Sequence, residues 1–181
     1  MISLKSKIAQ KVLNFFFLNP HESLYVNELS RRLALDKRNL VKKLREFELT
    51  GLLISEKKGN LRLYRINQKF PLYKEYERIV LKTIGVEEKL KQILKAVPGV
   101  KEAYLYGSYA HEKMSAHSDL DLMVIGSHKI VFLQKKLISL QNEIGREVNS
   151  VNMSEKEFWR RKKEKDPFLS GIFSRKTIKL V

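Results

Sequence analysis

Apolar residues in the first 50 positions recur at the spacing of α-helices. A first group repeats every three or four positions, at Ile8, Val12, Leu13, Phe16 and Phe17. This spacing predicts a helix that ends at Asn19-Pro20, because a proline there stops the helix from continuing. Residues 24–33 predict a second short helix with its leucines on one face. Asp36 is placed to cap a third helix that runs to about Leu49.

Two short strand-like runs come next in the chain. They cover residues 52–54 and 61–66, and they flank the turn sequence Lys58-Gly59-Asn60. Two such runs around a glycine-containing turn predict a β-hairpin. The chain therefore begins with three helices and a hairpin, and Phe70-Pro71 marks the expected end of this part.

Helical and strand-like patterns alternate in the rest of the chain. Residues 72–96 are helical with a break at Gly85, and Pro98-Gly99 predicts a turn. Further helices are predicted over 128–144 and 154–165, and strands over 100–106, 120–124, 148–153 and 176–180. This alternation predicts a small mixed α/β second half, so the fold class expected for the whole chain is α+β.

The first part of the chain carries a recognisable helix-turn-helix pattern. Residues 26–44 (VNELSRRLALDKRNLVKKL) and 49–53 (LTGLL) resemble the helix-turn-helix and the start of the wing in winged-helix regulators of bacteria and archaea. The resemblance covers residues 1–68 and implies that the third helix enters the major groove of double-stranded DNA. A winged helix that docks a protein, with its charges merely solvated, is the alternative interpretation.

The residues expected to contact DNA are polar side chains on the third helix and the hairpin. They are Lys37, Arg38, Asn39, Lys42, Arg45, Lys57, Lys58 and Arg62. The lysines and arginines suit phosphates, while Arg38 and Asn39 can reach base edges.

Two short motifs stand out in the second half. Gly107-Ser108 follows the first predicted strand, and Asp119-Leu120-Asp121 opens the next one. Together they resemble the Gly-Ser turn and the Asp-x-Asp pair of minimal nucleotidyltransferases of the DNA polymerase β-like superfamily, over residues 85–181. The whole layout also resembles archaeal proteins that fuse a winged helix to such a domain. We therefore expect a winged helix at 1–68, a helical linker at 69–98 and a nucleotidyltransferase domain at 99–181.

The resemblance assigns roles to four residues. Residues two apart on a strand point to the same face, so Asp119 and Asp121 are expected to hold one Mg²⁺ and to be the catalytic carboxylates. Gly107 permits close backbone approach to a phosphate, and Ser108, at a helix start, offers a hydroxyl and amide donors to the nucleotide. The implied reaction is in-line attack of an acceptor hydroxyl on the α-phosphate of a nucleoside triphosphate.

Two positions depart from the pattern of active relatives. Asn149 stands where a third carboxylate is expected, and an amide cannot act as a base at neutral pH. Glu147, two residues earlier, is the candidate substitute. His111-Glu112 replaces the Arg-Gly that often follows the Gly-Ser turn, which leaves His111 or Lys113 to contact the triphosphate. Nucleotide binding is therefore expected, and turnover is left open.

Several other residues are assigned structural roles. Trp159 is expected to pack the last long helix onto the sheet, and 166–169 to form a turn into a short packing helix. The basic run 160–163 is interpreted as a solvated helix face rather than a nucleic-acid contact. The histidines, His111 and His117 among them, show no metal-ligand spacing.

The charge distribution of the chain favours a polyanionic partner. The chain has 36 basic and 20 acidic residues, a net charge of +16. Residues 1–70 hold 15 basic and 6 acidic residues, and 127–181 hold 13 and 6, whereas 71–126 hold 8 of each. Basic regions near both ends indicate a polyanionic partner. A lysine-rich surface tuned for solubility or high temperature is the alternative.

Composition also limits the compartment. There is no cysteine, which excludes a disulfide scaffold and is compatible with a reducing cytoplasm. The first 18 residues lack the layout of a signal peptide, and no apolar run is long enough to span a membrane. We therefore expect a cytoplasmic protein with no membrane partner.

Three functions remain open from the sequence. The first is a DNA-binding transcriptional regulator whose nucleotidyltransferase-like domain binds Mg-NTP with weak or lost turnover. The second is an active Mg²⁺-dependent transferase that moves a nucleotide to a hydroxyl of a protein, an RNA or a small molecule. The third is an antitoxin-like partner of a helical toxin. A homodimer would suit paired DNA half-sites.

Overall fold

The computed structural model describes residues 4–115 and 118–181. The chain divides into two compact units, Met1–Glu88 with Asn142–Gly145, and Lys89–Gln141 with Arg146–Val181. His117 lies outside the described residues. The domain boundaries expected at 68 and 98 stay predictions.

The first unit contains four helices and a small sheet among its described residues. They are α1 (Lys7–Leu18), β1 (Leu24–Tyr25), α2 (Val26–Leu33), α3 (Lys37–Leu49), β2 (Leu53–Lys58), β3 (Leu61–Ile66) and α4 (Tyr73–Thr83). The sheet is antiparallel with the order β1-β3-β2. Its core is made by buried side chains of α1, α2 and α3, such as Phe16, Leu29 and Leu44. Burial of this apolar area is the main favourable term in holding these elements together.

Local signals fix the start of helix α3 and the turn of the hairpin. The Asp36 carboxylate accepts a hydrogen bond from the Asn39 amide at 2.9 Å, which caps the helix as predicted. In the hairpin Lys58 pairs with Leu61, which leaves Gly59 and Asn60 as the turn. Gly59 has a φ of +59°, the left-handed conformation that glycine adopts at least cost.

The second predicted helix begins two residues later than the sequence indicated. Leu24 and Tyr25 form a strand because they pair with Tyr64 and Leu63 of β3. The helix then starts at Val26, where the Glu28 carboxylate accepts a hydrogen bond from the Tyr25 amide. Helix α4, within the expected linker, buries Tyr73 and Val80 in the same core as α1.

The second unit is built around a four-stranded mixed sheet. Its elements, with the first residues of α5 and the last residues of α7 assigned to the first unit, are α5 (Val86–Lys95), β4 (Val100–Tyr106), α6 (Gly107–Ala110), β5 (Leu120–Gly126), α7 (Ile130–Ile144), β6 (Val148–Met153), α8 (Glu155–Lys163), α9 (Pro167–Phe173) and β7 (Ile178–Lys179). The strand order is β6-β5-β4-β7, with β5 and β6 parallel and the other pairs antiparallel. The crossover between the parallel strands carries α7, as parallel pairing requires.

Helices α8 and α9 cover one face of this sheet. Met123, Ile125 and Met153 of the sheet pack against Phe158, Leu169 and Ile172 of the helices. The expectation that Trp159 packs onto the sheet is wrong, because Phe158 fills that place and Trp159 is 57% exposed. No helix in the described part of the chain is long and apolar enough to cross a membrane.

Candidate functional site

The two aspartates of the Asp-x-Asp motif lie at one end of strand β5. Asp119 immediately precedes the strand, and Asp121 is paired with Tyr106 of β4 on one side and Asn149 of β6 on the other. Side chains of directly paired residues share a face of the sheet, and so do residues two apart on a strand. The structure therefore places Asp119, Asp121, Asn149 and Tyr106 on one face.

The charge on this cluster is poorly compensated. Partial burial raises the pKa of Asp121, and the nearby negative charge of Asp119 raises it further. The Asn149 amide nitrogen donates a hydrogen bond to the Asp119 carboxylate at 3.1 Å. Two carboxylates held together in this way favour a cation between them. Mg²⁺ fits this donor set, since it commonly takes one or two carboxylates and completes its shell with water and phosphate oxygens.

The third acidic ligand is missing from the described structure. No group of three or more His, Cys, Asp or Glu side chains that could hold a metal occurs in residues 4–115 and 118–181. Glu147, the candidate substitute, therefore does not join Asp119 and Asp121. Its carbonyl accepts a hydrogen bond from the Leu120 amide, while the residue itself is exposed. The cluster consists of two carboxylates and the amide of Asn149.

Gly107 brings the first motif against the second. It has a φ of +68°, and a Cβ atom built on it would lie 2.1 Å from Asp121 Oδ2. Any other residue would therefore both strain the backbone and displace the carboxylate. Ser108 follows at once, in the single turn of α6. Because this helix has only four residues, donors to a phosphate would be the Ser108 hydroxyl and individual amides rather than a helix dipole.

Arg146 is a residue of this site that the sequence motifs did not reveal. The side chain is buried, and its guanidinium donates hydrogen bonds to the carbonyls of Ser115 at 3.0 Å and Ser118 at 2.8 Å. Ser118 precedes Asp119, so these bonds fix the chain just before the first carboxylate. Nothing in the neighbouring sequence indicates this role, because both partners lie about 30 residues away.

The residues expected to contact DNA lie on the surface of the first unit. All eight are exposed, on α3 and on the hairpin. Lys37, Val41 and Arg45 of α3 line a groove of about 660 Å³ whose opposite wall includes Leu61 and Arg62 of β3. Three of the predicted DNA contacts, Lys37 and Arg45 of α3 and Arg62 of β3, thus line the same groove.

One of the eight is already engaged within the protein. The Arg62 guanidinium forms an ion pair with the Glu48 carboxylate of α3 at 3.1 Å, and the Ser55 hydroxyl also donates to Glu48. These contacts tie the hairpin to α3. A contact of Arg62 with DNA stays a prediction.

Comparison with known proteins finds a family match for part of the C-terminal half of the chain. Residues 88–174 match the family described as Polymerase beta, Nucleotidyltransferase. No curated protein matches the chain significantly. A solved toxin-antitoxin structure with AMP-PNP is 23% identical, with 36% of this chain and 56% of that chain covered and a TM-score of 0.33. This chain thus spans just over half of that structure's length.

Two further solved structures are similar at the same level. A complex of a tri-AMPylated Shewanella oneidensis HEPN toxin with an MNT antitoxin is 22% identical over 36% of this chain and 51% of that chain, with a TM-score of 0.28. A protein described as a nucleotidyltransferase from Sulfolobus solfataricus is also 22% identical, over 41% of this chain and 68% of that chain, with a TM-score of 0.28. The family match shows that the C-terminal part of this chain, over residues 88–174, carries a nucleotidyltransferase domain.

Proposed function

We propose that this protein is a DNA-binding transcriptional regulator whose C-terminal domain binds a magnesium complex of a nucleoside triphosphate. The proposal of nucleotide binding rests on one observation, which is that Gly107 lies directly against the side chain of Asp121, next to Asp119. It places a glycine turn that can admit a phosphate directly against two carboxylates that can hold a metal.

Each residue of the cluster has a defined task in nucleotide binding. The Gly107 backbone leaves room for a phosphate, and the Ser108 hydroxyl donates a hydrogen bond to its oxygen. Asp119 and Asp121 would hold Mg²⁺, which when bound neutralises negative charge on the phosphates and on a departing pyrophosphate. Arg146 holds Ser118, the residue before Asp119, through a hydrogen bond to its carbonyl.

Slow or absent turnover follows from Asn149. Transfer requires that the acceptor hydroxyl lose its proton, and a carboxylate near the metal is suited to accept it. Asn149 lies beside Asp119 but its amide cannot accept that proton.

The second candidate function is an active transferase acting on a hydroxyl of a protein, RNA or small molecule, and the adjacent Asp119 and Asp121 favour it. Transfer of the label from an NTP labelled at the α-phosphate to an acceptor, with release of unlabelled pyrophosphate, would support it.

The metal site can be tested without any assumption about turnover. Mn²⁺ is a spectroscopic substitute for Mg²⁺, and its free concentration is read by electron paramagnetic resonance. In the absence of nucleotide, which would itself bind Mn²⁺, we expect wild-type protein to bind one Mn²⁺ per chain and Asp121→Asn to bind it about 10–100-fold more weakly. Equal binding by both proteins would remove Asp121 from the site.

The DNA part of the proposal is supported by element order and charge. A helix, a strand, two helices and a hairpin in a β1-β3-β2 sheet is the order of a winged helix-turn-helix. In such domains the second helix of the motif, here α3, enters the major groove. Its Lys37, Arg38, Lys42 and Arg45 are all exposed and can neutralise phosphates.

DNA binding is tested by salt dependence and by matched charge reversals. Affinity for duplex DNA should fall linearly with salt on logarithmic axes, with a slope of about −0.9 for each phosphate contacted. The double variant Lys42→Glu/Arg45→Glu should lose most of the affinity in fluorescence anisotropy. The control Arg160→Glu/Lys163→Glu changes the charge equally on exposed positions of α8. Equal losses in both double variants would show that α3 is not the DNA-binding element.

The antitoxin-like role is a third proposal for the same domain. It requires a stable complex with a small helical toxin, and size-exclusion chromatography of the co-expressed pair is its test. A complex that forms with Asp119→Ala as well as with wild type would separate partner binding from nucleotide chemistry.

A further inference from the structure

The face of the sheet that carries the aspartates has two different parts. Met123 and Ile125 follow Asp121 at two-residue steps along β5, and both are covered by α8 and α9. Asp121 itself, at the start of the same row, is only partly buried. Helices α8 and α9 therefore form a wall over the part of this face that continues from Asp121.

Phe168, at the start of α9, contacts the residue that is paired with Asp121. Tyr106, which is paired with Asp121, packs its ring against Phe168 at a centroid distance of 6.3 Å and an interplanar angle of 89°. Asp121 also raises the pKa of Tyr106, after the larger effect of burial. Phe168 is 40% exposed, although Leu169 and Ile172 on the same helix are buried. An exposed ring thus lies one side chain away from the metal-binding carboxylates.

The backbone around Phe168 is held in place by capping contacts. The Asp166 carboxylate accepts a hydrogen bond from the Leu169 amide at 3.0 Å, and Pro167 occupies the first turn of α9. Arg161 forms an ion pair with Asp166 at 3.0 Å and places its guanidinium carbon 6.0 Å from the centre of the Phe168 ring. The ring is therefore presented from a fixed helix start rather than from a loose loop.

We propose that Phe168 is the stacking platform for the base of the nucleoside triphosphate, an inference that rests on the proposed function of the site. A triphosphate held at Gly107, Ser108 and the two aspartates leaves its nucleoside to extend along the adjacent wall, where Phe168 is the exposed ring in contact with Tyr106. An aromatic face stacks on any base and gives affinity without hydrogen-bond readout. The site should therefore prefer purine to pyrimidine nucleotides only through stacking strength.

Trp159 provides a control within the same wall. It is more exposed than Phe168, but its ring contacts are with Phe158 and Lys162, and neither residue is paired with an aspartate of the site. If any exposed aromatic on α8 and α9 served equally well, Trp159 and Phe168 would matter equally. The proposed position next to Tyr106 predicts that only Phe168 matters.

The test compares a nucleotide with a triphosphate that lacks a nucleoside. Isothermal titration calorimetry of the full chain with Mg-ATP and with Mg-tripolyphosphate is carried out on wild type, Phe168→Leu, Phe168→Trp and Trp159→Leu. We expect Phe168→Leu to weaken Mg-ATP binding about tenfold, within the usual range for loss of one base-aromatic stack. Its Mg-tripolyphosphate affinity should stay at the wild-type value. Phe168→Trp should keep or improve Mg-ATP affinity, and Trp159→Leu should match wild type for both ligands.

The outcomes separate this inference from the function on which it rests. Wild type that binds neither ligand overturns both. If wild type binds both ligands, two results overturn the role of Phe168 as the platform: an unchanged Mg-ATP affinity in Phe168→Leu, or an equal loss of affinity for both ligands. Either result is still consistent with a triphosphate site. Leucine keeps the apolar contact with Tyr106, and circular dichroism checks the fold.

A second readout keeps the inference testable if Phe168→Leu does not fold. The variant Trp159→Phe/Phe168→Trp has one tryptophan, located at the proposed platform. Mg-ATP should quench its fluorescence strongly, because the base stacks on the indole, and Mg-tripolyphosphate should not. Equal quenching by the two ligands would overturn the proposal.

Discussion

Substitution of Gly107 by alanine separates the stability of the second unit from the geometry of its site. The new methyl group faces two problems, a backbone φ of +68° and a contact of 2.1 Å with Asp121 Oδ2. A left-handed backbone costs a non-glycine residue about 1–2 kcal/mol. The close contact is with the end of a side chain, so Asp121 can relieve it by rotating away from its present position.

The backbone strain and the displacement of Asp121 are measured separately, the first as a loss of stability and the second as a loss of Mg-ATP affinity. The backbone cost alone should lower Tm by about 4–8 °C for each kcal/mol lost, as for a unit of 60–100 residues. Rotation of Asp121 adds little to that cost, but it removes a metal ligand. We therefore expect a moderate loss of Tm in differential scanning calorimetry, together with at least a tenfold loss of Mg-ATP affinity in titration calorimetry.

Two other glycines serve as matched controls. Gly59 has a φ of +59°, and a Cβ atom there would meet nothing within 4 Å, so Gly59→Ala should cost the same backbone energy in its own unit and leave Mg-ATP binding unchanged. Gly171 lies inside α9 with open space around it, so Gly171→Ala should be neutral or stabilise by about 0.5–1 kcal/mol. Wild-type Mg-ATP affinity in Gly107→Ala would refute the reasoning, since it would show that the position of Asp121 Oδ2 does not matter.

Three further predictions follow from other contacts. Asn149→Asp should restore a base beside Asp119 and raise pyrophosphate release by about 10²–10⁴-fold over wild type, whereas an unchanged rate would show that another feature limits turnover. Asp121→Asn should raise the Tm of the metal-free protein at pH 7. The raised pKa means that ionised Asp121 costs stability above the ordinary aspartate pKa of about 3.9, so the gain should vanish as the pH falls below that value. Glu48→Gln should change stability by less than about 1 kcal/mol, because its ion pair with Arg62 is partly exposed, and should strengthen DNA binding in anisotropy by freeing Arg62.

Most elements could be predicted because their signals are local. The cap at Asp36, the hairpin turn predicted at Lys58-Gly59-Asn60 and the break at Gly85 all act on neighbouring residues. The structure confirms each of them, except that Lys58 is the last residue of β2 and the turn is Gly59-Asn60. Strand β1 could not be found in this way, because it depends on pairing with Leu63 and Tyr64, almost 40 residues further on.

The details of the site depended on contacts that the sequence does not display. The choice between Phe158 and Trp159 as the packing residue rests on the rotation of a short, mostly charged helix, in which periodicity is a weak signal. Arg146 binds carbonyl groups, and carbonyls are present at every residue, so no side-chain motif marks its partners. The sequence predicts a packing role for Phe168, because an apolar residue after Asp-Pro gives no indication of its partial exposure.

The most direct test of the nucleotide site is calorimetric titration of the four ribonucleoside triphosphates, with and without Mg²⁺, into wild type and Asp119→Ala. We predict binding by wild type that depends on Mg²⁺ and is lost in the variant. Binding that is unchanged by Asp119→Ala or by removal of Mg²⁺, or no binding by wild type, would contradict the proposed site.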